Sequence, residues 1–458
     1  MGGFPETNRR MGVWAATAVV IGEAISLGIF LTPAGMARSL GSPALLAAVW
    51  LGMAAMTMAG ALCFTELAVR NPHDGGEYVY LRSGFGRNVA FLYGWMAALV
   101  MYPGVAAALC VGLVPYARAL LPMPDAFARA LPAAVLLALG AVNYCGTRLS
   151  SGAMTALNWL KVSVLAALVL WAVLSGRATL ANLAPLTVRR AGSDPLGNAI
   201  AGAAISAFFT FGGWWEAGKI AGQVRDPRRT LPIAFTAGVL VVTAIYLLVS
   251  FAFVSVVPME RIRTNAAFVA LFGEALFGPA GGRWLASCVL LCVLGGLMVL
   301  TMAVPRVTCA LARDEAAAGP LSVFGRLHPR FGSPANAVLL QTALALLVLS
   351  LGAFDSILAF IIFSAIVFLA LTVATLFRAR ALAPSDAEFA QAPLHPWWHP
   401  SAPIVFLVGS VALAAMLLLH NPGPSLLGAA VVLAGLPVRW LLVRRHPPPS
   451  TAEELLTP

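Results

Sequence analysis

Charge is what this 458-residue chain has least of. Only 10% of its residues are Asp, Glu, Lys or Arg, just two are lysines (Lys161 and Lys219), and 60% are apolar. A soluble protein of this length needs a charged surface, so this composition excludes one and leaves a polytopic membrane protein. Cysteine is also sparse. Cys63, Cys110, Cys145, Cys288, Cys292 and Cys309 all lie in or at the ends of apolar segments. That argues against a disulfide framework, an exofacial disulfide to a partner subunit and a CxxC metal site. The six histidines are scattered through loops and segment ends without ligand spacing, so neither a metal nor a cofactor is expected. There is no HExxH or GxSxG run and no convergent histidine set, which weighs against a membrane enzyme. A channel would need a filter-like repeat or polar rings on several spans, and none is evident.

What is abundant is apolar length. An all-α membrane protein is expected, with twelve spans near 12–38, 43–69, 88–117, 130–146, 151–175, 196–222, 231–257, 280–311, 334–352, 355–377, 402–420 and 424–443. The first segment is too long for a removable signal peptide, contains Glu23 and runs directly into the next span. The Pro-rich tail 446–458 is expected to be disordered. With the N-terminus inside, 19 Lys and Arg residues fall on the cytoplasmic side and 9 on the outer side. Both termini are therefore expected in the cytoplasm of a multi-pass inner-membrane protein. The net charge of +11 reflects that bias, and no nucleic-acid partner is expected because no soluble basic domain carries the charge.

Two of these spans read poorly as continuous helices. The first carries Gly22, Glu23, Ser26, Gly28 and Pro33 within one short run, and the sixth carries Gly212 and Gly213 beside Phe208, Phe209, Phe211, Trp214, Trp215 and Glu216. In hydrocarbon each freed N–H and C=O needs a partner, so a break is costly unless a substrate uses those groups. Half-helix amides then face an anion and half-helix carbonyls a cation. The competing reading is a kinked helix whose small residues allow close packing. Paired breaks about 185 residues apart are what an inverted five-plus-five repeat predicts. The repeats would cover 1–180 and 190–378, and two further helices 400–445.

Several motifs are similar to those of the amino acid–polyamine–organocation superfamily, nearest its L-type amino acid transporter branch. Ser26-Leu27-Gly28-Ile29-Phe30 with Pro33 resembles GSGIF followed by proline. Gly60-Ala61-Leu62-Cys63-Phe64-Thr65-Glu66-Leu67 and Gly75-Gly76-Glu77-Tyr78-Val79-Tyr80 resemble GALCYAEL and GGEYxY. Phe209-Thr210-Phe211-Gly212-Gly213-Trp214 resembles FAYGGW, and Asp226-Pro227-Arg228-Arg229-Thr230-Leu231-Pro232 resembles NPxRxLP. Gly295-Gly296-Leu297 and His328-Pro329-Arg330-Phe331-Gly332-Ser333-Pro334 extend the likeness over nearly the first 340 residues.

The resemblance implies a leucine-transporter-type fold and a secondary transporter of amino acids or related amines. It places the substrate carboxylate on amides of Leu27, Gly28 and Ile29. The ammonium falls on carbonyls near Glu23, Ala24, Ile25, Phe208 and Phe209. Phe209 matches an aromatic gate and Gly212 a small residue beside the side-chain pocket. Ser26 belongs to the same break. Departures lie at Leu27, where the family has a small serine, and at Trp215, where it has an asparagine. The cysteine that links heteromeric members to a heavy subunit is absent from 115–130, so no disulfide-linked heavy subunit is expected. A transporter of polyamines or other organic amines and a transporter-like sensor remain alternatives, as do exchange and proton symport.

Three groups carry the sharper expectations. Lys161 has about ten apolar residues on either side and cannot easily snorkel. It either pairs with an acid for packing or, as the family's matching lysine implies, puts its ammonium where sodium sits in sodium-driven relatives, making transport sodium-independent. Phe209, Phe211 and Trp214 are either core aromatics or the wall and lid of a pocket. Glu23 is costly at mid-membrane, by ~2.5–3.5 kcal/mol, unless neutralised. Pairing with Lys161, contact with a substrate ammonium and proton carriage are its three candidate roles. Glu216 has a simpler explanation as an ion pair with Lys219 three residues on.

Overall fold

The computed structural model describes residues 11–25, 28–73, 75–146, 151–258, 268–315, 320–352, 354–382 and 399–445. The expectation for the tail 446–458 and those for Ser26 and Leu27 fall outside them. Among the described residues the chain is helical, with no strand beyond a single bridge between Met11 and Val224. Ten helices are long and apolar enough to cross a membrane, among them Pro43–Arg70, Arg87–Leu120, Pro227–Val256 and Phe354–Ala381. Two shorter apolar helices, Trp159–Leu174 and Ala335–Leu349, lie where the fifth and ninth spans are expected. The boundaries follow local chemistry. Ser42 caps Leu45 N–H ahead of Pro43, and Pro227 likewise opens its helix at the first turn.

The first apolar run is broken. Helix α1 (Val13–Ala24) stops, and the chain resumes as α2 (Gly28–Leu31) and α3 (Pro33–Leu40), with Thr32 N–H bonded to Gly28 O at 2.9 Å. After α4 (Pro43–Arg70) a turn containing Gly75 and Gly76 leads into α5 (Glu77–Phe85). The sixth run breaks too. Leu196–Phe211 is α-helical, Gly212 leaves the helix at ψ 146°, Gly213 turns the chain at φ +104°, and Trp214–Gln223 continues as a 3-10 helix.

The two broken runs pack along each other. Met11 N–H donates to Gln223 O at 3.1 Å and Arg225 N–H to Met11 O at 2.8 Å, which joins the start of α1 to the end of the 3-10 segment. The outer portions are joined as well. Arg190 N–H donates to Gly41 O at 3.0 Å, Ser39 Oγ to Asp194 Oδ2 at 2.6 Å, and Ala44 N–H to Leu186 O at 3.1 Å. Behind the crossing, Trp50, Phe211 and Tyr246 form a buried aromatic cluster with centroids 5.0–5.9 Å apart. At the end of α4 buried Glu66 is held by Arg70 and by Arg380, which donates to both carboxylate oxygens (2.8 and 2.5 Å) and ties α4 to the long helix Phe354–Leu382. Large apolar side chains such as Trp14, Trp159, Val173 and Leu419 remain exposed on the outside, as a lipid-facing surface requires.

Candidate functional site

The site is where the two breaks cross. Glycine is needed there because backbones touch. A Cβ on Gly28 would lie 2.6 Å from Thr210 Cα, and one on Gly213 would lie 2.4 Å from the Glu23 carbonyl oxygen. The contacts place the end of α1 against Gly213 and the start of α2 against the last turn of the helix Leu196–Phe211. Thr32 Oγ1 and Thr210 Oγ1 are 2.7 Å apart; Thr210 Oγ1 also faces Ser206 O at 2.7 Å and Thr32 Oγ1 faces Gly28 O at 3.1 Å, so two hydroxyl hydrogens are shared among three contacts that join the breaks.

The carbonyls freed by both breaks meet at one hydroxyl. Tyr246, buried in the helix Pro227–Val256, lies 2.5 Å from Ala24 O and 2.8 Å from Thr210 O. Its single hydrogen is shared between two acceptors. Tyr116 donates to Phe30 O on the other side of the first break. Neither tyrosine is legible as a site residue in the sequence, since each is one hydroxyl in an apolar run.

The expected site residues fall into three groups. Glu23, Ala24, Ile25, Gly28 and Ile29 line the first break, with Ala24, Ile25, Gly28 and Ile29 buried. Ser26 and Leu27 lie outside the described residues. Phe208, Phe209, Phe211, Gly212 and Trp214 surround the second. Among them only Phe209 and Gly212 keep partial exposure; Phe209 meets Phe354 edge-on at 5.8 Å. Phe208 stacks on Trp215, Phe211 packs on Trp50 and Tyr246, and Trp214 packs on Phe64 and Phe406, all three fully or nearly buried. Phe211 and Trp214 are thus buried among other aromatics, while Phe209 keeps part of its ring accessible.

Glu23 keeps some accessible surface as a residue, although protein surrounds most of its carboxyl. Its charged neighbours are Glu216, Lys161 and Lys219. Among the described residues no hydrogen bond or ion pair closes directly between Glu23 and Lys161; the two act on each other through space. Glu216 and Lys219 do pair, with Nζ 2.7 and 2.6 Å from the two carboxylate oxygens. A 3-10 helix eclipses residues three apart, which suits this contact. Lys219 Nζ also donates to Tyr102 at 2.9 Å, and Trp215 Nε1 to Glu216 at 3.1 Å.

Two interrupted spans that cross at glycines, with main-chain carbonyls gathered at the crossing, are the arrangement from which one class of membrane transporters builds its substrate site. The amino acid permease family matches residues 11–438, and the chain belongs to that family, within the amino acid–polyamine–organocation superfamily. It is 27% identical to the serine/threonine exchanger SteT of Bacillus subtilis, covering 95% of this chain and 97% of that one. It is 28% identical to the human large neutral amino acids transporter small subunit 2, covering 100% of this chain and 85% of that one. An uncharacterized transporter of Mycobacterium tuberculosis is 32% identical over 96% of this chain and 93% of its own length. The family and these relatives are transporters rather than enzymes, and the chain is a multi-pass membrane protein of that type.

Proposed function

We propose that the protein is a secondary active transporter that moves amino acids across the cytoplasmic membrane by alternating access, independently of sodium. The observation that carries this reading is the contact of both breaks at one point, Gly28 on Thr210 and Gly213 on Glu23. Main-chain amides at Gly28 and Ile29, with Leu27, hold the substrate carboxylate, and carbonyls from Glu23 to Ile25 and at Phe208 and Phe209 face the ammonium. Such groups read the zwitterion common to all amino acids and leave selection to side chains. Phe209 closes over the substrate. Lys161 supplies the positive charge that a sodium ion would otherwise bring. The chain is organised as repeats 1–180 and 190–378 with two further helices, giving twelve crossings with both termini in the cytoplasm. The 19-to-9 distribution of Lys and Arg supports that orientation.

A carboxylate at Glu23 favours substrates that carry an additional amine, which keeps polyamines and other organic amines as the second reading. The test is uptake of a panel of radiolabelled amino acids and amines into proteoliposomes, with and without internal substrate, in sodium and in choline. Saturable uptake of an amino acid that is unchanged in choline is the expected result. Uptake that vanishes without sodium refutes the role given to Lys161, and no uptake of any panel member refutes transport.

A further inference from the structure

Glu77 opens α5, outside the membrane-spanning helices, and is 1% exposed. Among the described residues neither of its carboxylate oxygens closes a hydrogen bond of good geometry, and only the Tyr93 hydroxyl and its own backbone N–H approach closely enough to act on them. An ionised carboxylate left so is strongly disfavoured. Its turn is docked on the segment after the second break. Gly75 N–H donates to Lys219 O at 3.0 Å, and a Cβ on Gly76 would lie 2.8 Å from Lys219 Cγ. Tyr80, on the same helix, reaches towards Gly218 O at 3.4 Å.

The surrounding charges do not balance. Glu77 and Glu216 share one ammonium group, Lys219, while Glu23, which also faces Glu216 and Lys219, has Lys161 beside it, so three carboxylates are set against two ammonium groups. Lys219 is committed to Glu216 by two short bonds, and Lys161 acts on Glu23. The remaining groups acting with Glu77 are the Tyr93 hydroxyl, on the helix Arg87–Met96, and Tyr102, which accepts from Lys219. Arg82 lies further along α5 itself. On the packed helix Phe354–Leu382, Arg380 is taken by Glu66, as is Arg70 on α4. One carboxylate is left over, and one proton makes the cluster neutral.

We propose that Glu77 is the proton-binding site of this transporter: its carboxyl holds one proton while the Gly75–Glu77 turn is closed on Lys219, and releases that proton to water when the turn and Lys219 separate. Burial lifts the carboxyl to about 7, against the opposing pull of Lys219 and with Glu216 adding to the rise. Hydration on separation returns it towards the ordinary carboxylate range, so the closed state binds the proton more tightly than the open one. Sign follows directly: acid favours the closed turn, and alkali favours its opening.

This rests on the transport reading, so the test has an arm that does not need transport. Infrared difference spectra of the purified protein between acid and alkaline buffer should show a protonated carboxyl band that titrates near neutral pH. Glu77→Gln should abolish that band, Glu23→Gln should keep it, and Tyr93→Phe, which removes a hydroxyl that favours the ionised carboxyl, should move its midpoint upward. In proteoliposomes loaded with a fluorescent pH indicator, substrate entry should carry protons in the wild type. The Glu77→Gln variant should retain substrate exchange without proton movement. A band that survives in Glu77→Gln, or a variant with unchanged proton movement, overturns the assignment. If no substrate is transported, the infrared titration alone still decides Glu77, and the transport reading is what fails. Should Glu77→Gln not yield folded protein, the direction of the Tyr93→Phe shift decides, and a midpoint that stays in place refutes the site.

Discussion

Adding one methyl group at the crossing of the two breaks tests whether that contact governs the protein. In Gly213→Ala the new Cβ falls 2.4 Å from the Glu23 carbonyl oxygen, at a residue whose φ of +104° L side chains rarely adopt. Holding a non-glycine residue in such a backbone region costs about 1–3 kcal/mol. Overfilling a well-packed contact adds about 1–3 kcal/mol more. The sum, about 2–6 kcal/mol, is a large part of the stability of an ordinary domain, about 5–15 kcal/mol. Gly202→Ala is the matched control. It adds the same methyl to the preceding helix, where nothing beyond its chain neighbours and its own helix backbone lies within 4 Å, and helix propensity there favours alanine by about 0.5–1 kcal/mol. Thermal unfolding in detergent, followed by fluorescence-detected gel filtration, should show a fall of several degrees for Gly213→Ala and none for Gly202→Ala. Substrate uptake by the surviving folded fraction should also be lost in the first and kept in the second. If Gly213→Ala unfolds and transports like the wild type, the breaks do not depend on this contact and the site argument fails with it.

Two further perturbations probe the crossing. Tyr246→Phe removes the hydroxyl that faces both Ala24 O and Thr210 O, and should lower stability by about 1–3 kcal/mol in chemical denaturation; an unchanged unfolding midpoint would show that water or another donor replaces it. Phe209→Ala should cut transport far more than Phe363→Ala, a half-buried phenylalanine on the helix Phe354–Leu382. Equal losses in correctly inserted protein would deny Phe209 a gating role.

Apolar length made the long helices legible, because ~20 uncharged residues have few other uses. Misplaced glycine and proline made both breaks legible in the same way. Spacing of three was enough to foresee the Glu216–Lys219 pair, since that contact is local. The rest depended on distance in space. Tyr246 is one tyrosine among aliphatic neighbours, and only the packing of Pro227–Val256 against α1 brings its hydroxyl to Ala24 and Thr210. Glu77 stands in a recognisable motif, yet nothing in that motif says that the turn before it docks on Lys219. Aromatics beside a break read alike whether they line a pocket or fill a core, and burial is what separates Phe211 and Trp214 from Phe209.

The first half-helix is fastened at both of its ends to the same distant segment. Met11 is bonded to Gln223 and Arg225, and the Glu23 carbonyl rests on Gly213. Twelve α-helical residues span about 18 Å and ten 3-10 residues about 20 Å, so the two rods match in length as they run side by side. A rod pinned at two separated points to a second rod keeps one relative freedom, rotation about the line through the pins. Any large swing of α1 therefore carries Trp214–Gln223 with it, as one lever built from pieces nearly 200 positions apart. The Gly75–Glu77 turn, gripping that lever at Lys219, is the part of the surroundings that it must pull or leave behind.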